Sequence, residues 1–247
     1  MKLYTMIEEG QNFHNTWVNL IEKVLQHGRN LTIGGGTERK PIVDSCALIS
    51  LYGNAIRQIE HKELHPQFPF KRIKEYCEEY SRDFVQEYRK QDSKTRFSYL
   101  YMDRLLNWAP SDTISWLPKI DQLNILKVLL NKQIDENITS NRNQVITWVP
   151  HYDPYIHSPC LQRIQIRYIP ENTVDVHLTW RSRDLYAAWQ PNIVCIIEML
   201  NKEIMKPCEC KIIRLIDYND SLHIYHTDKL DAEKIKKVIV SPQEISD

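Results

Sequence analysis

The second half of the sequence contains a cysteine whose surroundings suit nucleophilic chemistry. Cys160 follows a proline in the stretch HSPCLQRIQ, and Gln165 lies five residues further on. A thiolate is a strong nucleophile, although an ordinary thiol is only a few per cent ionised at neutral pH. Free cysteines are also among the most frequently buried residue types. Cys160 is therefore a candidate nucleophile, with a small apolar core side chain as the structural alternative.

A polar cluster follows an apolar stretch in WRSRDLYAAWQPNI. It holds Arg181, Ser182, Asp184 and, eleven residues after the arginine, Asn192. An arginine fork matches phosphate oxygens two at a time, and a carboxamide can both donate and accept along the edge of a heterocycle. This combination predicts a site for a phosphorylated ligand that carries a ring. For Asn192 the alternative is a helix N-cap before 193–200, and both roles can hold.

Two further polar residues, His223 and Tyr225, alternate with Leu222 and Ile224. On a strand they share one face, where both could bond to a hydroxyl of a ligand. A His-x-Tyr pair in a half-buried sheet is the structural alternative.

The remaining motifs are weaker. Gly34, Gly35 and Gly36, with Arg39 nearby, could cradle an anion or form a plain mobile loop. Cys208 and Cys210 are too closely spaced for a zinc pair. The sequence also lacks a Gly-x-Ser-x-Gly elbow, a His-Glu-x-x-His helix and a phosphate loop, which excludes several common enzyme classes.

The elements that must position these residues are helices followed by interleaved strands and helices. Hydrophobic spacing predicts helices over 13–27, 71–90, 120–134 and 192–205. A hairpin is predicted around a Pro-Glu-Asn turn, with 174–180 as its second strand, and CKIIRLI and SLHIYHTD are predicted as two strands joined by a DYND turn. This order predicts an α+β fold, and the length allows a single domain over 1–247.

Composition limits the possible partners. Lys plus Arg equals Asp plus Glu at 32 each, so there is no broad basic surface that would require nucleic acid or an anionic membrane. No apolar run approaches the length of a membrane-spanning helix. Six cysteines without the spacing of a stapled secreted domain favour free thiols in a reducing compartment, and hence a cytoplasmic protein.

Taken in order, these motifs resemble the signature of thymidylate synthases and of the related pyrimidine-nucleotide hydroxymethylases. Upstream, FSYLYMDRL at 97–105 is similar to the Tyr-Gly-x-Arg-Leu segment of the shorter, archaeal-type members. NRNQVITW at 141–148 stands where their arginine pair and tryptophan precede the cysteine, although one arginine of the pair is Asn141 here. The matching residues elsewhere are Pro159, Cys160, Gln165, Arg181, Ser182, Asp184, Asn192, His223 and Tyr225.

The resemblance implies a thymidylate synthase-like fold, with a mixed sheet at a homodimer interface and helices flanking it. It also implies that 5,10-methylenetetrahydrofolate is the cofactor and that a pyrimidine nucleoside monophosphate is the substrate. Each active site would be shared between the two subunits.

By the same resemblance, Cys160 would attack C6 of the pyrimidine, so that C5 captures the one-carbon unit. The phosphate would be held by Arg181 and Ser182, by Arg142 of the other subunit, and by either Arg29 or Arg39. Gln165, His223 and Tyr225 complete the substrate-binding set, together with Asn192, which suits uracil.

Proton transfer and the identity of the product are less closely specified. The resemblance places Glu75, Tyr101 and Asp184 in the catalytic set, with Glu78 and Glu79 as rivals of Glu75. Hydride transfer would give a methyl group and water a hydroxymethyl group, and the polar ending VSPQEISD favours the second outcome. dUMP is the favoured substrate. The alternatives are a dCMP or CMP hydroxymethylase of phage or antibiotic metabolism, and a catalytically silent nucleotide-binding relative.

Overall fold

The structure is a computed structural model that describes residues 5–34, 38–92, 99–109, 118–150, 153–155 and 158–239. These residues form strands and helices of an α+β fold with a mixed sheet, as the sequence predicts. The chain divides into two compact units. Unit 1 comprises Met1–Lys71, Trp180–Val194 and Ile213–Asp247, and unit 2 comprises Arg72–Thr179 and Cys195–Ile212. The single-domain organisation stays a prediction.

The elements have the following bounds. The strands are β1 (Thr5–Gly10), β2 (Arg29–Ile33), β3 (Lys40–Tyr52), β4 (Gln144–Ile146), β5 (Leu161–Ile169), β6 (Thr173–Trp180), β7 (Arg183–Asp184) and β8 (Lys211–Tyr225). The helices are α1 (Phe13–His27), α2 (Asn54–Glu60), α3 (Ile73–Glu78), α4 (Arg82–Lys90), α5 (Tyr101–Leu106), α6 (Gln122–Glu136), α7 (Trp189–Leu200) and α8 (Lys229–Ala232). A π-helical turn, Asn201–Met205, continues α7.

Unit 1 is built on a mixed sheet. Strand β3 runs parallel to β1 and antiparallel to both β2 and β8, and β7 pairs with β8 in parallel. Helix α1 packs on β1 and β3 and buries Trp17, Leu20 and Val24. Its predicted bounds are confirmed. The Asn12 side chain accepts from the Asn15 N–H at 2.9 Å, and the helix ends before Gly28.

The predicted turn at DYND is wrong, because β8 is one continuous strand. Asp217 and Asn219 are fully buried inside it and pair with Ile49 and Ala47 of β3. Their polar side chains look like turn residues in the sequence. Asp217 Oδ1 instead accepts a hydrogen bond from Arg183 Nη1 at 2.7 Å. This ion pair offsets part of the cost of burying the carboxylate.

In unit 2, the single helix predicted over 71–90 is also wrong, since α3 and α4 are separate. Ser81 has an extended backbone between them, and its side chain accepts from the Phe84 N–H at 3.2 Å. That cap starts a new helix. The helix predicted over 120–134 is confirmed as α6, with Asp121 as its N-cap. Strands β5 and β6 are neighbours, with Glu171 and Asn172 at positive φ in the turn between them.

The cysteines depart from the expectation of free thiols. Cys77 of α3 and Cys195 of α7 form a disulfide, with their Cα atoms 4.8 Å apart, whereas Cys46, Cys160, Cys208 and Cys210 are free. Within the described ranges, no group of three or more His, Cys, Asp or Glu side chains could hold a metal ion. No helix in the same ranges has the length and hydropathy needed to cross a membrane.

Candidate active site

Cys160 lies in unit 2 at a bend immediately before β5, and its thiol is free and half-buried. A buried ion pair fixes the preceding segment, since Arg104 of α5 donates to Asp153 at 2.8 Å. Asp153 also accepts from the Val149 N–H at 2.6 Å, and its backbone carbonyl accepts from the Ser158 hydroxyl at 2.5 Å. Removal of either Arg104 or Asp153 would leave the other charge buried without its ion-pair partner, which would be strongly destabilising. The cysteine is therefore presented by a well-anchored segment.

Two tyrosines connect this cysteine to α5. Cys160 interacts electrostatically with both Tyr99 and Tyr101 and adds to the effect of burial on the pKa of each phenol. The Tyr99 and Tyr101 ring centroids are 5.5 Å apart. Burial raises the pKa of Tyr99, and it raises the pKa of Tyr101 well above its ordinary value. Both phenols are consequently protonated at neutral pH and can act as donors. Sequence reasoning selected Tyr101 and missed Tyr99, although the Tyr-x-Tyr spacing is visible.

A cavity of about 300 Å³ adjoins these tyrosines. Tyr76 and Tyr80 of the neighbouring segment line it together with Tyr99, Tyr101 and Glu79. Burial raises the pKa of the Glu79 carboxyl, which favours its protonated form. Glu79 therefore meets the two requirements for a proton-transfer group, a place at a cavity and a shifted pKa.

The glutamate named first from the sequence has a different environment. Glu75 lies in the first turn of α3 with its side chain exposed, and it is not among the described residues that line the cavity. Glu78, at the end of the same helix, is also exposed. The catalytic role of Glu75 stays a prediction, and the geometry favours its rival Glu79.

Gln165 and Arg142 are related through the segment before β4. The Gln165 side chain donates to the carbonyl of Asn141 at 3.1 Å, and Arg142 itself is exposed. The next residue, Asn143, is fully buried and exchanges two hydrogen bonds with Gln133 of α6, at 2.6 and 2.8 Å. This amide pair anchors the segment and leaves the arginine at the surface.

In unit 1, the two arginines of the WRSRD stretch have opposite environments. Arg181 is exposed, whereas Arg183 is buried and donates to Asp217 at 2.7 Å and to the Trp189 carbonyl at 2.8 Å. Its guanidinium also lies 3.9 Å from the ring centroid of Trp180. Arg183 therefore has a structural role in the core. The exposed Arg181 and the half-buried Ser182 are the residues of this stretch that a phosphate could reach.

Strand register places four polar residues in one row across unit 1. Arg29 pairs with Asp44, Asp44 with His223, and His223 with Asp184, on strands β2, β3, β8 and β7. Paired residues on adjacent strands share a face. Arg29 Nη2 is 4.0 Å from Asp44 Oδ2, and the Ser221 hydroxyl donates to Asp44 Oδ1. Asp44 and Ser221 were missed, because no sequence signal reveals which strands pair.

The histidine of this row is nearly inaccessible to solvent. His223 is 2% exposed, and its Nδ1 lies 3.3 Å from the Ser221 hydroxyl. Its Nε2 makes no hydrogen bond within the described ranges. Burial lowers its pKa, and Asp44 opposes that shift only in part, so the imidazole is neutral at neutral pH. The ring meets that of Tyr225 edge-on, with centroids 5.0 Å apart.

Asp184, at the end of the row, has backbone hydrogen bonds and a raised pKa. Its Oδ1 accepts from the N–H groups of Tyr186 and Ala187, at 2.9 and 3.0 Å. Burial nevertheless raises the pKa of Asp184 to about 6, and the nearby Asp228 adds to the shift. Among the described residues no hydrogen bond reaches Oδ2, which is left for a ligand donor.

The remaining predicted residues have simpler environments. Asn192 is 6% exposed and lies inside α7, three residues after the helix begins at Trp189. The N-cap alternative for Asn192 is therefore wrong. Arg39 is exposed beside 35–37, and those glycine-loop residues lie outside the described ranges.

Comparison with known proteins agrees with these features. The family model for thymidylate synthase matches residues 15–243. A protein of Methanosarcina mazei named "Putative thymidylate synthase" is 25% identical over 238 residues, covering 94% of this chain and 95% of its own. A protein of Methanothermobacter marburgensis with the same name is 22% identical over 230 residues, covering 90% and 93%. The family match covers most of the chain and includes the free Cys160, so the chain belongs to the thymidylate synthase family.

Proposed function

We propose that the protein transfers a one-carbon unit to C5 of a pyrimidine nucleoside monophosphate, with dUMP as the favoured substrate. Cys160 forms a covalent bond to C6 of the base during the reaction. The observation that carries this proposal is the electrostatic interaction of the free, half-buried Cys160 with Tyr99 and Tyr101. It links a nucleophile to protonated hydroxyls, which is what addition to a ring and subsequent proton transfer require.

Residues of unit 1 are assigned to the nucleotide. Arg181 and Ser182 bind the phosphate, because they carry the accessible donors of the stretch. His223, whose buried Nε2 has no partner in the described part of the chain, bonds a ribose hydroxyl together with Tyr225. Asn192 reads the base, since one amide offers the donor and the acceptor that the O4 and N3–H of uracil need.

The cofactor assigned to the reaction is 5,10-methylenetetrahydrofolate, which supplies the carbon and, for a methyl product, the hydride. Asp184 fits such a group, since its Oδ2 is available to accept from the N–H donors of an aminopyrimidine edge. Glu79 and Tyr101 are assigned to proton transfer, Glu79 because burial raises its pKa. The residues that would favour water over hydride, 240–247, lie outside the described ranges, and a hydroxymethyl product stays a prediction.

The proposal includes a homodimer. Ile7, Leu48 and Tyr218 are register partners on β1, β3 and β8, so they form one apolar row on a sheet face. They are 64%, 37% and 37% exposed in the single chain. Burial of such a row by its copy in a second chain is the arrangement expected of a two-fold dimer.

The dimer is tested by placing a charge in this row. We expect Leu48→Glu to convert the dimer into a monomer in sedimentation experiments, because a carboxylate would have to be buried without a partner. Leu230→Glu, at the 70% exposed Leu230 of α8, is the matched control and should leave the dimer intact. A wild-type protein that sediments as a monomer would contradict the dimer without affecting the assignment of Cys160.

The reaction is tested by mass spectrometry after incubation of the protein with dUMP, dCMP, UMP or CMP and methylenetetrahydrofolate. A gain of roughly 14 mass units identifies methyl transfer, and a gain of roughly 30 identifies hydroxymethylation. We expect modification of dUMP. No gain with any of the four nucleotides would overturn the proposal, and thermal stabilisation by a nucleotide without product would then indicate a silent binder.

A further inference from the structure

Asp44 and Ser221 have no role in the proposed reaction, although both lie beside His223 in the polar row of unit 1. Strand register pairs Asp44 of β3 with His223 of β8, and Ser221 precedes His223 by two residues on β8. Cross-strand partners share a face of the sheet, and so do residues two apart on one strand. Asp44 is 5% exposed, His223 is 2% exposed and Ser221 is half-buried. The three side chains therefore form one group that is largely shielded from water.

The hydrogen bonds within this group have a defined direction. The Ser221 hydroxyl donates to Asp44 Oδ1, and the same oxygen lies 3.3 Å from His223 Nδ1. A serine hydroxyl has one proton, and a bond to a carboxylate is about twice as strong as a bond to a neutral acceptor. The serine proton is therefore directed towards Asp44, and towards the ring the oxygen can only accept. The proton of that second contact must be carried by Nδ1 of His223.

The state of the other ring nitrogen follows from the first. Burial lowers the pKa of His223, and Asp44 opposes that shift only in part, so the ring is neutral at neutral pH. A neutral imidazole has one proton, and its second nitrogen is an acceptor. With Nδ1 protonated, the acceptor is Nε2. This is the buried nitrogen to which the described residues offer no hydrogen bond.

The carboxyl on the other side of the ring does not hold the opposite tautomer. Asp184 of β7 is the second register partner of His223, and its Oδ1 accepts from two backbone N–H groups. Within the part of the chain that the structure describes, no bond joins Asp184 to Nε2. On the far side of the group, Arg29 Nη2 lies 4.0 Å from Asp44 Oδ2, which leaves Oδ1 to Ser221. Both flanks of the ring are thus consistent with protonation at Nδ1.

We propose that Ser221 and Asp44 are positioning residues that hold His223 in the tautomer protonated at Nδ1, so that Nε2 accepts a hydrogen bond from the ligand. The ligand group that meets Nε2 must then carry a proton, as a hydroxyl does. An ether oxygen or a fluorine would place two acceptors against each other. Only the identity of the donor, the sugar hydroxyl of a nucleotide, rests on the proposed function, since the tautomer is a property of the free protein.

The tautomer is measured by NMR spectroscopy of the His223 ring nitrogens in the ligand-free protein at neutral pH, with the signals assigned by correlation to the backbone of the same residue. A protonated ring nitrogen and an unprotonated one have well-separated chemical shifts. We expect Nδ1 to have the shift of the protonated nitrogen and Nε2 that of the unprotonated one. The opposite pattern in the wild type overturns the inference, and this measurement decides even if a variant fails to fold.

Variants separate positioning from a purely structural role. In Ser221→Ala the Nδ1–H group loses its acceptor, and because a buried N–H without a partner is costly, the ring should change towards the tautomer protonated at Nε2. Ser221→Thr keeps the hydroxyl and should keep the wild-type pattern. Ser50→Ala is the matched control, at a half-buried serine of β3 that pairs with Ile216 outside the polar row. The wild-type pattern in Ser221→Ala overturns the inference.

The contribution of Asp44 is tested in the same spectra. Asp44→Asn offers the serine a neutral acceptor in place of a carboxylate, so its proton is directed less strongly away from the ring. We expect a smaller change towards the tautomer protonated at Nε2 than in Ser221→Ala. A wild-type pattern in Asp44→Asn would overturn the role assigned to Asp44.

The consequence for the ligand is tested by calorimetric titration with dUMP and with an analogue of dUMP in which fluorine replaces the sugar hydroxyl. The wild type should bind the analogue about tenfold to a hundredfold more weakly, because Nε2 stays buried without a donor. In Ser221→Ala the ratio should fall by about a factor of three or more, since Nε2–H no longer requires a donor. Equal binding of the two ligands by the wild type overturns the donor requirement. Protonation at Nδ1 without any binding of dUMP would overturn the proposed function alone.

Discussion

The polar row of unit 1 and the tyrosine-lined cavity of unit 2 are built in different ways. The row draws Arg29, Asp44, His223 and Asp184 from four strands that are far apart in the sequence. The cavity draws its lining from two short segments, 76–80 and 99–102. Strand register can assemble a site from distant residues, whereas neighbouring short helices assemble one from residues that are close in sequence.

The two regions also differ in how many charged side chains they contain. The polar row of unit 1 contains charged side chains of both signs, and Arg29 Nη2 lies 4.0 Å from Asp44 Oδ2. The described lining of the cavity in unit 2 has one carboxyl, Glu79, and otherwise neutral groups. A region of compensated charges suits recognition of an anionic nucleotide, and a region of neutral hydroxyls suits proton transfer beside a thiolate. The comparison predicts that a substitution in unit 2 can abolish turnover without unfolding the protein, and that a substitution in unit 1 can lower the stability of the fold.

The largest effect is expected at Cys160. Cys160→Ala should reduce turnover by about four orders of magnitude or more, because no other group supplies the covalent bond to C6. Nucleotide binding and thermal stability should be retained, since the side chain is half-buried and bears no ion pair. Single-turnover product analysis checks the loss of turnover, and calorimetric titration checks the retained nucleotide binding. An active Cys160→Ala enzyme would contradict the assignment of Cys160 as the nucleophile.

A large loss of stability is expected in unit 1 instead. Arg183→Met would leave Asp217 buried with only its neutral donors, Trp189 and Asn219, and should lower the free energy of unfolding by about 3–5 kcal/mol. Denaturant titration measures the change. Lys90→Met is the control, because the pair of Lys90 and Glu87 is as short, at 2.6 Å, but about two-thirds exposed. Equal effects in the two variants would show that burial does not set the value of these pairs.

A smaller, pH-dependent effect is expected at Asp184. Its folded-state pKa of about 6 exceeds the ordinary value of 3.8, so the folded protein binds this proton more tightly than the unfolded chain. The contribution of Asp184 to stability should therefore fall as the pH rises from about 4 to 6, by at most roughly 3 kcal/mol. Asp184→Asn should remove that slope while keeping the acceptor for the Tyr186 and Ala187 N–H groups. The free energy of unfolding, measured against pH for the wild type and for Asp184→Asn, gives this contribution as the difference between the two curves. Parallel curves would contradict a raised pKa for Asp184.

Several elements of the fold were accessible from the sequence alone. The helix at 13–27 and the one around 120–134 were predicted because each has apolar residues at helical spacing, and the structure adds a polar N-cap before each, Asn12 and Asp121. Strands β1, β2 and β3 were missed. The buried face of β3 includes Asp44 and Ser45 beside Ile42 and Val43, so its pattern is not a simple alternation.

The roles of the candidate site residues stay predictions. The types and order of Cys160, Arg181, Asn192 and His223 identified the family, because a nucleophile and its ligand-binding groups must be of particular residue types. The resemblance assigned the phosphate to Arg181, but the sequence did not predict that Arg183, two residues later, is buried in the core. Their opposite burial depends on Asp217, which lies more than thirty residues away.

The sequence by itself thus determined the family and predicted Cys160 as the nucleophile, since both depend on residue type and order. Only the tertiary structure decided that Tyr99 and Tyr101 interact with Cys160, that Asp44 and Asp184 flank His223, and that Glu79 rather than Glu75 lines the cavity. The physical reason is that hydrogen bonds, register and burial are set by contacts between distant segments. The free energy of those contacts is not encoded in any local pattern.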